Sequence, residues 1–251
     1  FLPVSSLAQT VPLTKEQIFQ IATLAARDGE YERAVEYFKK AIDIDPHFAP
    51  AYNSIGLVYE TWQPGRVSEA VRYFRLATDI DPKYVECWNN LGKAYYAQGS
   101  FVQAEEAFKR SLALQPDQPG ISFVLGWVYL LGQSMAEEAL DCFEKALPAT
   151  DNPVIYYGIG MAHLLLGERF EVLDAVTQLR KGQREDYAVK LEKLVRDNVK
   201  ISSTPGTPLV TGMGELESVF EKTLASVSGR SAKDRDKGAI QGRLKGSLPS
   251  N

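Results

Sequence analysis

Apolar positions along residues 15–200 recur with the spacing of helices. Ala34, Phe38, Ala41 and Ile42 fall on one helical face, because residues three, four and seven apart share a side of an α-helix. Charged residues fill the opposite positions, and turn residues break the pattern at regular intervals. A first helix is predicted to open at Thr14-Lys15-Glu16-Gln17, where Thr and Gln stand in capping-box register. A last amphipathic helix is predicted over 184–199, with Tyr187, Ala188, Leu191, Leu194 and Val195 on one face.

Between these ends the pattern repeats. Gly56, Gly92, Gly126 and Gly160 are spaced 36, 34 and 34 residues apart. Tyr59, Tyr95 and Tyr129 each follow a glycine by three residues. Phe38, Phe74, Phe108 and Phe143 each stand four beyond a small residue: Ala34, Ala70, Ala104 and Ala139. Pro46, Pro82 and Pro116 close three units. Each mark has a physical role. The Gly and Ala permit close helix crossings, the Tyr and Phe fill the space between helices, and the Pro stops one unit from running into the next. Five units are predicted, at about 15–48, 49–84, 85–118, 119–152 and 153–181. Two extra residues in the second, around Gln63-Pro64-Gly65-Arg66, and one in the fourth, near Gln133-Ser134, are assigned to turns, where insertions are tolerated. The fifth unit departs from the pattern. It keeps Tyr156 and Gly160 but has His163 in place of Tyr and Val172 in place of Ala.

Trp88-Asn89-Asn90-Leu91-Gly92-Lys93-Ala94-Tyr95, followed by Ala104, Phe108 and Pro116, resembles the tetratricopeptide repeat: W-x2-L-G-x2-Y, A-x3-F, P, over about 34 residues. The resemblance covers residues 15–181. It implies an all-α, right-handed α-solenoid of about five helix-turn-helix repeats, with 184–199 as a C-terminal capping helix. It also implies a concave face lined by the first helix of each unit. Three rows then run along that face: Phe19, Asn53, Asn89, Phe123, Tyr157; Thr23, Leu57, Lys93, Trp127, Met161; and Ala26, Glu60, Tyr96, Leu130, Leu164, with Asn90 between rows. The expected partner-binding residues are Asn53, Asn89, Asn90, Lys93 and Tyr96 in a polar half and Phe123, Trp127, Leu130, Tyr157, Met161 and Leu164 in an apolar half. Asn amides both donate and accept, which suits a peptide backbone. Trp, Tyr and Met suit an apolar anchor. The aromatic stripe fits packing within the stack or against the terminal helix equally well. Chaperone-binding members of the family share a two-carboxylate clamp. Starting at the second unit, its positions here are Asn53, Leu57, Asn90, Gly120 and Val124, of which only Asn90 fits. Starts at the first or third unit match nowhere, so an acidic chaperone C-terminus is not the expected ligand.

The 251 residues are 45% hydrophobic and 24% charged, with a net charge of −4, too small to point to a nucleic-acid partner. No apolar run reaches the 18 or so residues that cross a membrane. Cys87 and Cys142 lie on separate helices without CxxC spacing and read as small semi-buried hydrophobes. Asp43, Asp45, Asp79 and Asp81 resemble a metal motif but recur with the repeat, at the helix-to-turn junction before each Pro. His47 sits in a turn and His163 at a packed repeat position, neither with an evident catalytic partner. No GxxxxGK[ST], HExxH or GxSxG occurs, so no enzyme activity, cofactor or metal is expected.

The two ends read differently. Residues 1–13 form an arm in which FLPVSSLAQT resembles the tail of a signal peptide, with Ser6-Leu7-Ala8 as the small-x-small pattern. That favours an extracytoplasmic, periplasmic location over the cytoplasm. Residues 200–213 read as a linker, and 214–227 as a short helix with Leu216, Val219, Phe220 and Leu224 on one face. From Ser226 onward the chain is Gly/Ser-rich, with six basic residues against two acidic ones. Three readings stand for 214–251: a flexible terminus, a docking motif carried by Leu216, Phe220 and Leu224 for a partner or the chain's own groove, and a polyanion-binding tail.

The expected function is a protein-interaction scaffold or adaptor that holds a peptide or partner subunit in the concave groove. Two alternatives are a structural subunit of a larger assembly or homo-oligomer, and the substrate-recognition arm of an enzyme whose catalytic part lies on another chain.

Overall fold

The structure, a computed structural model, describes residues 12–62, 65–149 and 153–196. The N-terminal arm through residue 11, Gln63-Pro64, the 200–213 linker and the 214–251 segment with Leu216, Phe220 and Leu224 lie outside the described residues.

Among the described residues all regular structure is helical: α1 (Lys15–Arg27), α2 (Tyr31–Ile44), α3 (Ala49–Trp62), α4 (Val67–Ile80), α5 (Val85–Ala97), α6 (Phe101–Leu114), α7 (Pro119–Val128), α8 (Ala136–Ala146), α9 (Ile155–Leu166), α10 (Arg169–Lys181) and α11 (Glu185–Arg196). The helices pack in pairs from α1–α2 to α9–α10, and the second helix of each pair packs on the first helix of the next. This nearest-neighbour order is that of a solenoid. The core forms two stretches, one through α1–α5 with Ala107 of α6 and one through α6–α11, with Tyr95 packed against both. The capping box forms as the sequence predicts. Thr14 N donates to Gln17 Oε1 at 2.9 Å, and Gln17 N donates to Thr14 Oγ1 at 3.3 Å.

One contact closes three of the pairs. A Cβ added at Gly56, Gly92 or Gly126 would lie 2.5, 2.6 or 2.7 Å from Cε1 of Phe74, Phe108 or Phe143. All three rings are fully buried. The recurring Gly and the recurring Phe are therefore two halves of one junction, each burial worth roughly 1.5–3 kcal/mol. Unit five lacks the Phe and carries Val176 in its register. There Leu191 of α11, fully buried, packs onto Gly160 together with Ala175.

The turns explain two further marks. Asp45 and Asp81 accept backbone N–H bonds from His47 and Lys83, each at 3.0 Å, so their side chains fix the turn before the next unit. Tyr52 Oη and Trp88 Nε1, 36 residues apart, donate to the carbonyls of Pro46 and Pro82, at 3.2 and 2.9 Å.

Unit four corrects one expectation. Its extra residue is absorbed in the helix, as a π-helical turn over Tyr129–Gln133 at the end of α7. Met135 N reaches back to Tyr129 O at 3.1 Å. A single inserted residue is what such a wide turn accommodates. Ser134 then takes the left-handed conformation (φ 54°) that Gly29, Gly99 and Gly167 supply in units one, three and five.

Candidate partner-binding face

The first helices α1, α3, α5, α7 and α9 bring the expected residues together in two groups, and both are largely occupied by the chain itself. In the polar half, Asn53 and Asn90 are buried. Asn90 Nδ2 donates to Asn53 Oδ1 at 3.0 Å, and Asn53 Nδ2 donates to Tyr84 Oη at 3.3 Å. Asn89 Nδ2 donates to Gln118 Oε1 at 2.8 Å, and Gln118 Nε2 in turn donates to Ser111 Oγ at 2.9 Å and Gln115 O at 2.8 Å. The Asn90–Asn53 bond ties unit two to unit three, and the Asn89–Gln118 bond ties α5 to the residue that precedes α7. Asn89 Oδ1 is buried with no hydrogen-bond partner.

The apolar half is core. Phe123, Trp127, Leu130, Tyr157 and Met161 are exposed by only 1–4%. The Trp127 ring lies 5.6 Å from Phe143 and 6.3 Å from both Phe123 and Tyr157, and Tyr157 lies 5.1 Å from Tyr187 of α11. The expectation that these five side chains offer an open apolar anchor is corrected. Helices α8, α9 and α11 close over them, so the stripe packs within the stack and against the terminal helix. Asn53 and Asn90 are corrected likewise, because their amides bond each other.

Partly exposed members of the expected set remain on α5 and α9: Asn89, Lys93 and Tyr96, and Leu164. Tyr96 stands edge-on to Phe101 at 5.6 Å. Glu60 of α3 is also partly exposed. Gln118 and Tyr84, which accept from Asn89 and Asn53, were not singled out by the sequence. Their signal is weak, since neither recurs in the other units.

Among the described residues, no group of three or more His, Cys, Asp or Glu side chains could hold a metal ion. Cys87 is fully buried and its thiol donates to Phe74 O at 3.3 Å; burial pushes its pKa far above the ordinary thiol range. Burial pushes Cys142 up to about 11. Both stay protonated near neutrality, and a protonated thiol is neither nucleophile nor metal ligand. His163 is not simply packed: its Nδ1 lies 2.7 Å from Glu168 Oε2, just beyond the end of α9.

The recurrent Gly–Phe junction agrees with the family models. The model described as Tetratricopeptide repeat matches residues 85–118, and that described as TPR repeat matches residues 27–61 and 63–99. Residues 27–61 and 63–118 are tetratricopeptide repeats. Solved structures share the chain's fold. YrrB, a TPR protein with an unusual peptide-binding site, superposes with a TM-score of 0.65 at 22% identity, over 71% of this chain and 91% of YrrB. MamA gives 0.61 at 20% identity, over 76% and 98%. PilF of Pseudomonas aeruginosa gives 0.58 at 18% identity, over 73% and 82%. At these identities the likeness establishes the fold. No curated protein gives a match. A tetratricopeptide stack supports a role in protein–protein interaction, and no helix among the described residues is long and apolar enough to cross a membrane.

Proposed function

We propose that this chain is an interaction scaffold that receives a polypeptide on its first-helix face, centred on α5. The observation that carries the reading is the partial exposure of Asn89, Lys93 and Tyr96 together on α5, whereas Asn53, Asn90, Phe123, Trp127, Tyr157 and Met161 of the expected set are buried. An extended segment laid across α5 would meet these three exposed side chains at once. Lys93 and Glu60 add charges of both signs, and Tyr96 adds aromatic area. Such a surface suits a polar segment with a carboxylate and a modest apolar side chain. Recognition is by surface complementarity, with no bond made or broken.

The test uses peptides selected from a random display library on the intact chain. Their binding should protect α5 amides from hydrogen exchange and be weakened about tenfold or more by Lys93→Glu. A footprint confined to the second helices α2, α4, α6 and α8 would place recognition on the other side and end the proposal.

A further inference from the structure

We propose that residues 214–227 are the second helix of a sixth helix pair and pack on the outer face of α10 and α11. The first observation is in the sequence. α2, α6 and α8 carry Phe38-Lys39-Lys40-Ala41-Ile42, Phe108-Lys109-Arg110-Ser111-Leu112 and Phe143-Glu144-Lys145-Ala146-Leu147. The shared order is Phe, charged, basic, small, aliphatic, with the Phe and the small residue buried in every case. Phe220-Glu221-Lys222-Thr223-Leu224 repeats that order and differs from the α8 stretch only in Thr for Ala. α4, with Phe74-Arg75-Leu76-Ala77-Thr78, and α10, the second helix of unit five, do not carry it.

The second observation is where the array ends. α11 packs on α10 and α9 as α3 packs on α2 and α1, which is the seat of a first helix. A first helix without its partner leaves a face uncovered, and one is found. Leu173 of α10 stands in the register of Val35 and Val71. Those valines, in units followed by a complete unit, are 7% and 9% exposed, whereas Leu173 is 47% exposed. Phe170 beside it is 85% exposed, and Val189 of α11 is 51% exposed. Phe170 and Leu173 form one stripe of α10, three residues apart.

The chain can make the connection. Residues 197–213 reach about 55 Å when extended, against a length of about 18 Å for α11. The charges also match: Lys193 and Arg196 are exposed on α11, and Glu215, Glu217 and Glu221 lie on the incoming segment. Two departures agree with each other. Leu216 replaces the small residue four before the Phe, and α11 has no glycine to demand a close crossing. The proposed sixth pair would thus be more widely spaced than the others.

Hydrogen exchange on the full chain, at a concentration where light scattering shows a monomer, tests this. Amides of 214–227 should exchange at least about tenfold more slowly than an unstructured chain. That protection should vanish in Phe220→Glu/Leu224→Glu and equally in Phe170→Glu/Leu173→Glu, while α1–α9 stay protected. All four positions lie outside the described core or on its surface, so the variants keep their fold. Absence of protection overturns the proposal. So does protection that survives the Phe170→Glu/Leu173→Glu change, which seats the segment elsewhere. Protection that appears only in dimers assigns the face to a second copy and likewise overturns it.

Discussion

Replacing Gly92 by Ala tests the junction that closes the repeats. The added methyl would sit 2.6 Å from Phe108 Cε1, 2.7 Å from Cδ1 and 2.9 Å from Cζ. Carbon atoms prefer about 3.5–4.0 Å, so the ring must retreat by roughly 1 Å. Phe108 is fully buried and has no open side to move into. Overpacking of this kind costs about 1–3 kcal/mol, while Ala in place of Gly inside a helix returns about 1 kcal/mol. Gly92→Ala should therefore lower stability by up to about 2 kcal/mol in urea unfolding followed by far-UV circular dichroism. In a Phe108→Ala background the clash is gone, and the same change should be neutral or stabilising by about 1 kcal/mol. The reasoning rests on that coupling. A Gly92→Ala change that stabilises the otherwise unaltered chain, or whose effect is the same in both backgrounds, would refute it.

Three other perturbations separate packing from recognition. Trp127→Ala empties a core position lined by Phe123, Phe143 and Tyr157 and should cost about 3–5 kcal/mol, seen as a lowered thermal midpoint. Asn90→Ala removes the donor to Asn53 Oδ1 and should destabilise by about 1–3 kcal/mol; no change in the urea midpoint would show that the bond carries nothing. Cys87 and Cys142 should react with a thiol reagent at neutral pH only in step with unfolding, and rapid labelling of the native chain would contradict their burial.

Much of the fold is legible in the sequence because repeats write their geometry many times over. Gly56, Gly92 and Gly126 against Phe74, Phe108 and Phe143 announce a recurring helix pair by spacing alone. Spacing does not say that each Gly and Phe touch, because the contact joins two helices whose crossing is set by packing. The candidate face was less legible, for the same reason. Periodicity places Trp127, Tyr157 and Met161 in rows on the first helices. It cannot say how far α8, α9 and α11 close over those rows. Nor does it show that Asn53 and Asn90 spend their amides on each other. The extra residue of unit four was visible as a longer spacing between Gly126 and Phe143. Its resolution as a π-helical turn in α7 depends on Ser134 adopting the left-handed conformation. The partner of Gly160 lay furthest from reach, since Leu191 arrives from beyond the fifth unit to fill the space that Val176 leaves.

Recognition centred on α5 is tested most directly by measuring one library-selected peptide against the unaltered full chain and its Lys93→Glu and Tyr96→Ala variants. Calorimetry gives the affinities, and circular dichroism confirms equal helix content. The account predicts a loss of about tenfold or more for each variant, or about 1.4 kcal/mol. Equal affinity for all three chains would contradict it and remove α5 from the binding site.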